Sequence, residues 1–146
     1  MLLRTLAVLA AFAGMVLFAA VLSRLTLEPA TAAESLTHTN LRPGDSVRAY
    51  LEHSDRGQAL RQLGGNIALG VPFGILLPVM FPPVRGALRV TLCVVFVMLA
   101  VELVQGTLVT GRAFDIDDVL LNAIGALAGH LLLGRRLGRT VHPKPA

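Results

Sequence analysis

The stretch "GRAFDIDDVLLNAIG", Gly111 to Gly125, decides how this chain is read. Three aspartates, Asp115, Asp117 and Asp118, stand directly before an apolar run that continues to Leu133, with Asn122 one turn inside it. In a soluble fold this is an ordinary helix start, where carboxylates accept unpaired N–H groups and suit the helix dipole. In a membrane protein it puts dense negative charge at the mouth of a spanning helix. Which of the two applies depends on the solvent for which the rest of the chain is built.

The composition answers that. Of 146 residues, 54% are hydrophobic and only 15% are charged, against about 25% charged in an average soluble domain. The mean hydropathy is +0.69. A soluble chain of this size needs more polar surface than that. The fold class is therefore an all-α membrane protein, a compact bundle of about four transmembrane helices in one domain.

A spanning helix takes roughly 20 apolar residues. Such runs lie at Leu2 or Leu6 to Leu22, Leu63 to Phe81, Leu88 to Val109, and Ile116 to Gly134. The expected organisation is an N-terminal transmembrane helix (1–22), an extracytoplasmic loop (23–62), a three-helix core (63–134) and a basic cytoplasmic tail (135–146). The first run is read as a retained anchor. A cleaved signal peptide is its rival, with "ATA" at Ala30 to Ala32 as the cleavage pattern, but the apolar run is long and Arg24 and Glu28 intervene.

The net charge of +4 sets thirteen basic residues, twelve arginines and Lys144, against nine acids. There is no contiguous basic stripe, and with one tyrosine and no tryptophan for stacking, nucleic acid is not an expected partner. The basic residues read better as topology markers. Arg4, the Arg85/Arg89 hairpin and the Arg135, Arg136, Arg139 and Lys144 tail contain no acid between them, whereas the arginines of 23–62 are offset by Glu28, Glu34, Asp45, Glu52 and Asp55. Basic residues in short loops mark the cytoplasmic side, so both termini are expected there. Cys93 sits in an apolar run as a small hydrophobe, and one cysteine permits no intramolecular disulfide.

This topology sets polar residues of three helices at one depth. Asn66 falls about one turn below the outer surface, Glu102 and Gln105 in the outer third of the next span, and Asp118 and Asn122 in the first turns of the last. Glu102 and Gln105 share a face, as do Asp115, Asp118 and Asn122, a face that runs on through Gly125 and Gly129. Asn66, Gly70 and Gly74 repeat every four residues. Small-xxx-small faces of this kind let membrane helices approach closely, and amides on them commonly act as interhelical glue. An acid at mid-membrane costs roughly 2.5–3.5 kcal/mol, so Glu102 needs a partner, a proton or water. Arg112 is the nearest cation by sequence. Asp115 or Asp117 reads equally as a plain N-cap. His130 lies in the cytoplasmic half as a packing residue, and Pro72 and Pro78 are expected to bend their helix.

Three blocks, "NIALGVPFGILLP" (Asn66 to Pro78), "VELVQG" (Val101 to Gly106) and "GRAFDIDDVLLNAIGALAGHLL" (Gly111 to Leu132), resemble in order and spacing the motifs of VanZ-like membrane proteins. "NLRPGDSVRAYL" (Asn40 to Leu51) is similar to a looser family segment, with Gly44 where an aromatic often stands. The resemblance implies a small multi-pass protein of the bacterial inner membrane, with Asn66, Glu102, Gln105, Arg112, Asp115, Asp118 and Asn122 as its polar motif positions. The founding member is associated with low-level resistance to the glycopeptide teicoplanin, and the family's molecular mechanism is not established.

Three functions compete at this point. One is binding or remodelling of an envelope component, a lipid-linked precursor or an amphiphilic glycopeptide, at the outer surface. Another is an enzyme acting on a phosphorylated lipid or lipid-linked glycan, with Glu102 as acid or base, or with the aspartates holding a divalent cation. The last is a proton-coupled transport subunit, for which four helices are few. No other cofactor is expected, and the constant partner is the lipid bilayer.

Overall fold

A computed structural model describes residues 1–27, 39–109 and 111–143. Glu28, Glu34, Lys144 and the Ala30–Ala32 pattern lie outside the described residues. In chain order the elements are α1 (Leu2–Leu27), α2 (Asp45–His53), α3 (Arg56–Met80), a 3₁₀ turn (Pro82–Val84), α4 (Ala87–Leu108), α5 (Ile116–Gly129), a π-helical turn (His130–Gly134) and α6 (Arg135–Val141). There is no strand among the described residues, only one isolated bridge between Asn40 and Asp115. Among the described residues four spans are long and apolar enough to cross a membrane: α1, α3, α4, and α5 continued through the π turn into α6.

The helix ends differ from the sequence expectation in three places, the first being α1, which runs on to Leu27 rather than ending at Leu22. The segment 23–62, read as a loop, contains α2 and the first two turns of α3. Asp55 caps α3, its carboxylate accepting the Gln58 N–H at 2.9 Å, so the helix starts at Arg56 rather than Leu63. The tail 135–146 is likewise helical as far as Val141. Pro72 and Pro78 lie inside α3.

Helix α5 packs most closely on α3, and small residues make that possible. A Cβ on Gly70 would overlap the Asn122 carbonyl and stand 2.9 Å from the Ala126 nitrogen, and a Cβ on Gly125 would overlap the Ile67 carbonyl. Gly74 against Ala126 and Gly129 against Val71 repeat the arrangement further along. The expected four-residue glycine spacing is thus the seam of the bundle. In lipid there is no hydrophobic drive between helices, so close backbone approach and packing hold them together.

Around this seam the core is built from Phe73 and Leu77 of α3, Val90, Val94 and Met98 of α4, and Val119 and Ala126 of α5, with Leu22 of α1. Phe18 of α1 meets Phe73 edge to face at 5.3 Å between centroids. Cys93 packs against the same cluster. Leucines such as Leu3, Leu88, Leu103 and Leu132 remain on the outer surface, as a lipid solvent permits.

The start of α1 and the end of α6 lie at one end of the bundle. Met1, Arg4 and Thr5 share a cavity with Met80, Pro82 and His142, and His142 joins its Nε2 to the Val79 carbonyl at 2.7 Å. The aspartates at the start of α5 are at the other end.

Candidate functional site

The site begins where α5 begins. Asp115 is the N-cap of α5, its carboxylate accepting the Asp117 N–H at 2.8 Å. Its own N–H donates to Glu102 Oε2 on α4 at 3.0 Å. Glu102 is buried, and this bond carries one of its oxygens into the turn that starts α5. An intramembrane acid has thereby found a backbone donor, which stabilises its charge in part.

Asp117 has a different task from the one expected of it. Its carboxylate accepts the Gly44 N–H at 2.6 Å, the Ser46 N–H at 2.9 Å and the Val47 N–H at 3.3 Å. It caps α2 from another element, as an N-cap residue would from within the helix. Asn40 completes the junction, donating its amide to Asp115 Oδ1 and Ser46 Oγ, each at 2.9 Å. The backbone is paired here too, Asn40 N–H to Phe114 O at 2.8 Å and Ile116 N–H to Asn40 O at 3.0 Å. Gly44 has φ 94°, a left-handed conformation that a side chain rarely adopts, and this lets its N–H point at Asp117.

Asp118 faces inward. Its carboxylate accepts a hydrogen bond from the Asn66 amide of α3. One turn on, Asn122 donates to the Asp118 backbone carbonyl at 2.8 Å. The Asn122 Oδ1 is buried and has no hydrogen-bond partner among the described residues.

These side chains converge on one cavity of about 320 Å³. Asn66, Glu102, Gln105, Arg112, Asp118 and Asn122 all line it, drawn from α3, α4, α5 and the turn between α4 and α5. Asp115 does not line it and stands behind Glu102 as the helix cap. Leu22, Leu69, Met98 and Val101 give the cavity an apolar side. Its volume is at the lower end of ligand pockets, about 300–1,000 Å³. Among the described residues no group of three or more His, Cys, Asp or Glu side chains is arranged to hold a metal ion.

Sequence reasoning missed four contributors. Arg61 and Gln62 line the cavity from the first turns of α3, a stretch assigned to the loop. The signal was present: Asp55 with Gln58 three residues on is a capping-box pattern, and from a start at Arg56, Gln62 and Asn66 fall on one face. Asn40 was noticed only in a loose motif. Tyr50 on α2 was not singled out, yet burial raises its phenol above the ordinary 10.0, and the nearby Asp118 and Asp115 charges raise it further.

The cavity therefore offers two guanidinium groups, two carboxyl groups and four amides within one space. Donors and acceptors are mixed and the formal charges balance. Such a set matches a ligand whose groups both donate and accept, such as hydroxyls or amides, better than a bare anion or cation.

No match was found among curated proteins or solved structures. A family model does match: that of VanZ/LLP1 covers residues 5–136, nearly the whole sequence, and the chain belongs to that family.

Proposed function

We propose that this membrane protein binds the polar head group of a cell-envelope amphiphile in the cavity between α3, α4 and α5. The arginine distribution orients that cavity toward the extracytoplasmic side of a bacterial inner membrane, with both termini in the cytoplasm. The observation that carries the reading is the buried Asn122 Oδ1, without a partner among the described residues, on a wall shared with Glu102, Asp118 and Arg112. A polar atom left unsatisfied at that depth costs about 1–3 kcal/mol, which a ligand donor would recover.

The mixed hydrogen-bonding set favours a hydroxyl- or amide-rich head group, as on a lipid-linked glycan or a lipidated glycopeptide of the teicoplanin type. The apolar side formed by Leu22, Leu69, Met98 and Val101 gives the first carbons of the attached chain an apolar wall. A family association with teicoplanin resistance fits this chemistry.

The test is binding of teicoplanin and of a polyprenyl-linked disaccharide to the purified protein, with Glu102→Gln and Asp118→Asn as site variants. Loss of binding in stably folded variants supports the reading, and full binding by both removes it. A second reading, acid–base chemistry on the bound head group, is favoured by Glu102 and Asp118 lining the same cavity. Turnover of the disaccharide carrier by the wild type, absent in Glu102→Gln, would select it.

A further inference from the structure

The opposite end of the bundle holds a larger cavity, about 730 Å³, that the proposed function does not use. Arg85, Arg89, Arg135 and Arg139 line it, and among the described residues no acidic one does. Four cationic side chains facing one space repel each other unless an anion sits among them.

Two of these arginines are held in place by the turn before α4. Arg85 donates from Nε to Pro82 O at 2.9 Å and from Nη1 to the His142 carbonyl. Arg89 donates from Nη1 to Pro83 O at 2.8 Å. A guanidinium has five N–H donors, so each anchored arginine keeps others to present to a ligand. The start of α4 adds to the positive field: Gly86 is its N-cap without a side-chain cap bond, and Gly86 and Ala87 line the cavity.

A second, independent observation points to a ligand. His130 is only 2% exposed and lines the same cavity, and its Nδ1 is buried with no partner among the described residues. His142, 6% exposed, repeats the pattern on another wall: Nε2 is satisfied by Val79 O, and Nδ1 has no partner. An anion oxygen would accept an Nδ1–H from His130, and from His142 when that ring, whose Nε2–H goes to Val79 O, is protonated. Leu131, exposed beside them, offers an acyl chain a surface.

We propose that this cavity is a binding site for a phosphate-bearing anion, the head group of an anionic phospholipid or a soluble phosphate, held by Arg85, Arg89, Arg135 and Arg139 over His130 and His142. The site is separate from the polar cavity at the α5 N-terminus and does not depend on what that cavity binds. Basic pockets between membrane helices take lipid phosphates in this manner, through charge-assisted and often bidentate arginine contacts.

The test uses the purified full chain, delipidated in neutral detergent. Native mass spectrometry follows uptake of phosphatidylglycerol against phosphatidylcholine, and thermal unfolding follows the response to inorganic phosphate. Arg89→Gln with Arg135→Gln removes two exposed cavity arginines. Arg4→Gln with Arg136→Gln removes the same charge from the same end but outside the cavity lining. The wild type is expected to prefer phosphatidylglycerol, the cavity variant to bind it about tenfold less tightly, and the control variant to match wild type. Stabilisation by inorganic phosphate, lost in the cavity variant, identifies a soluble phosphate as a sufficient ligand; a response to phosphatidylglycerol alone identifies the lipid. Equal losses in both double variants reduce the cavity to general surface charge and overturn the proposal. So does a wild type with neither a phosphatidylglycerol preference nor a phosphate response.

Discussion

Asp117 on α5 caps α2 through Gly44, whose N–H meets its carboxylate at 2.6 Å. Ser46 and Val47 add their N–H groups to the same carboxylate, so one side chain fixes a helix seventy residues earlier in the chain. Hydrogen bonds to a charged group contribute about 1.5–3 kcal/mol each in favourable cases. Asp117→Ala is expected to lower stability by about 3 kcal/mol, with Asp117→Asn intermediate. Amide hydrogen exchange at Gly44, Ser46 and Val47 should rise in both variants before exchange in α3 or α5. Unchanged protection at those three amides would show that α2 is held by something else.

The seam between α3 and α5 gives a prediction of opposite signs at neighbouring glycines. Gly70→Ala and Gly125→Ala place a methyl into the facing backbone carbonyl and should each cost several kcal/mol, because the backbone must move rather than a flexible side chain. Gly65→Ala meets open space within the same helix as Gly70. It should gain about 0.5–1 kcal/mol from helix propensity. Thermal unfolding in detergent of the three variants reads the contrast directly.

Much of this arrangement was legible in the residues. The apolar run lengths gave the spans, and the four-residue spacing of Asn66, Gly70 and Gly74 gave the α3 face that α5 meets. Depth counting brought Asn66, Glu102, Gln105, Asp118 and Asn122 to one level because a membrane fixes both helix direction and rise. The division of labour among the aspartates was not legible. Asp115 and Asp117 stand two residues apart in a run that equally suits a local cap. Only the return of Asn40–Val47 to the start of α5, a contact between segments far apart in sequence, makes Asp117 the cap of α2. Arg61 and Gln62 were hidden for a simpler reason: amphiphilic first turns of a spanning helix look like loop when only the apolar stretch is counted.

Tyr50 is the sole tyrosine in a chain without tryptophan, so its phenolate absorbance reports on the site without interference. Burial raises its pKa above 10.0, with the Asp118 and Asp115 charges adding to the shift. The folded protein therefore holds the phenol proton where an unfolded chain has lost it. Stability from this group is present below about pH 10, and it is lost as pH rises through the folded value. Spectrophotometric titration should find a midpoint above 10.0 in the wild type and a lower one in Asp118→Asn. Equal midpoints would place Tyr50 outside the field of Asp118.

Glu102 separates charge from shape. Glu102→Gln keeps an oxygen able to accept the Asp115 N–H, whereas Glu102→Ala leaves that buried donor unsatisfied, at about 1–3 kcal/mol. Thermal unfolding should therefore place Glu102→Gln near wild type and Glu102→Ala clearly below it. If both variants melt together well below wild type, the carboxylate charge itself holds the fold.

The central claim is that Asp118, Asn122, Glu102 and Arg112 line a cavity built to receive a polar head group. The most direct measurement is equilibrium binding of teicoplanin and a polyprenyl-linked disaccharide to wild type, Asp118→Asn and Asn122→Leu in nanodiscs, with unfolding temperature recorded for each. The account predicts saturable binding of at least one of the two by wild type. It predicts a loss of about tenfold or more in both variants, which remain folded. Saturable binding that both substitutions leave unchanged would contradict it, as would the absence of binding of either probe to the folded wild type.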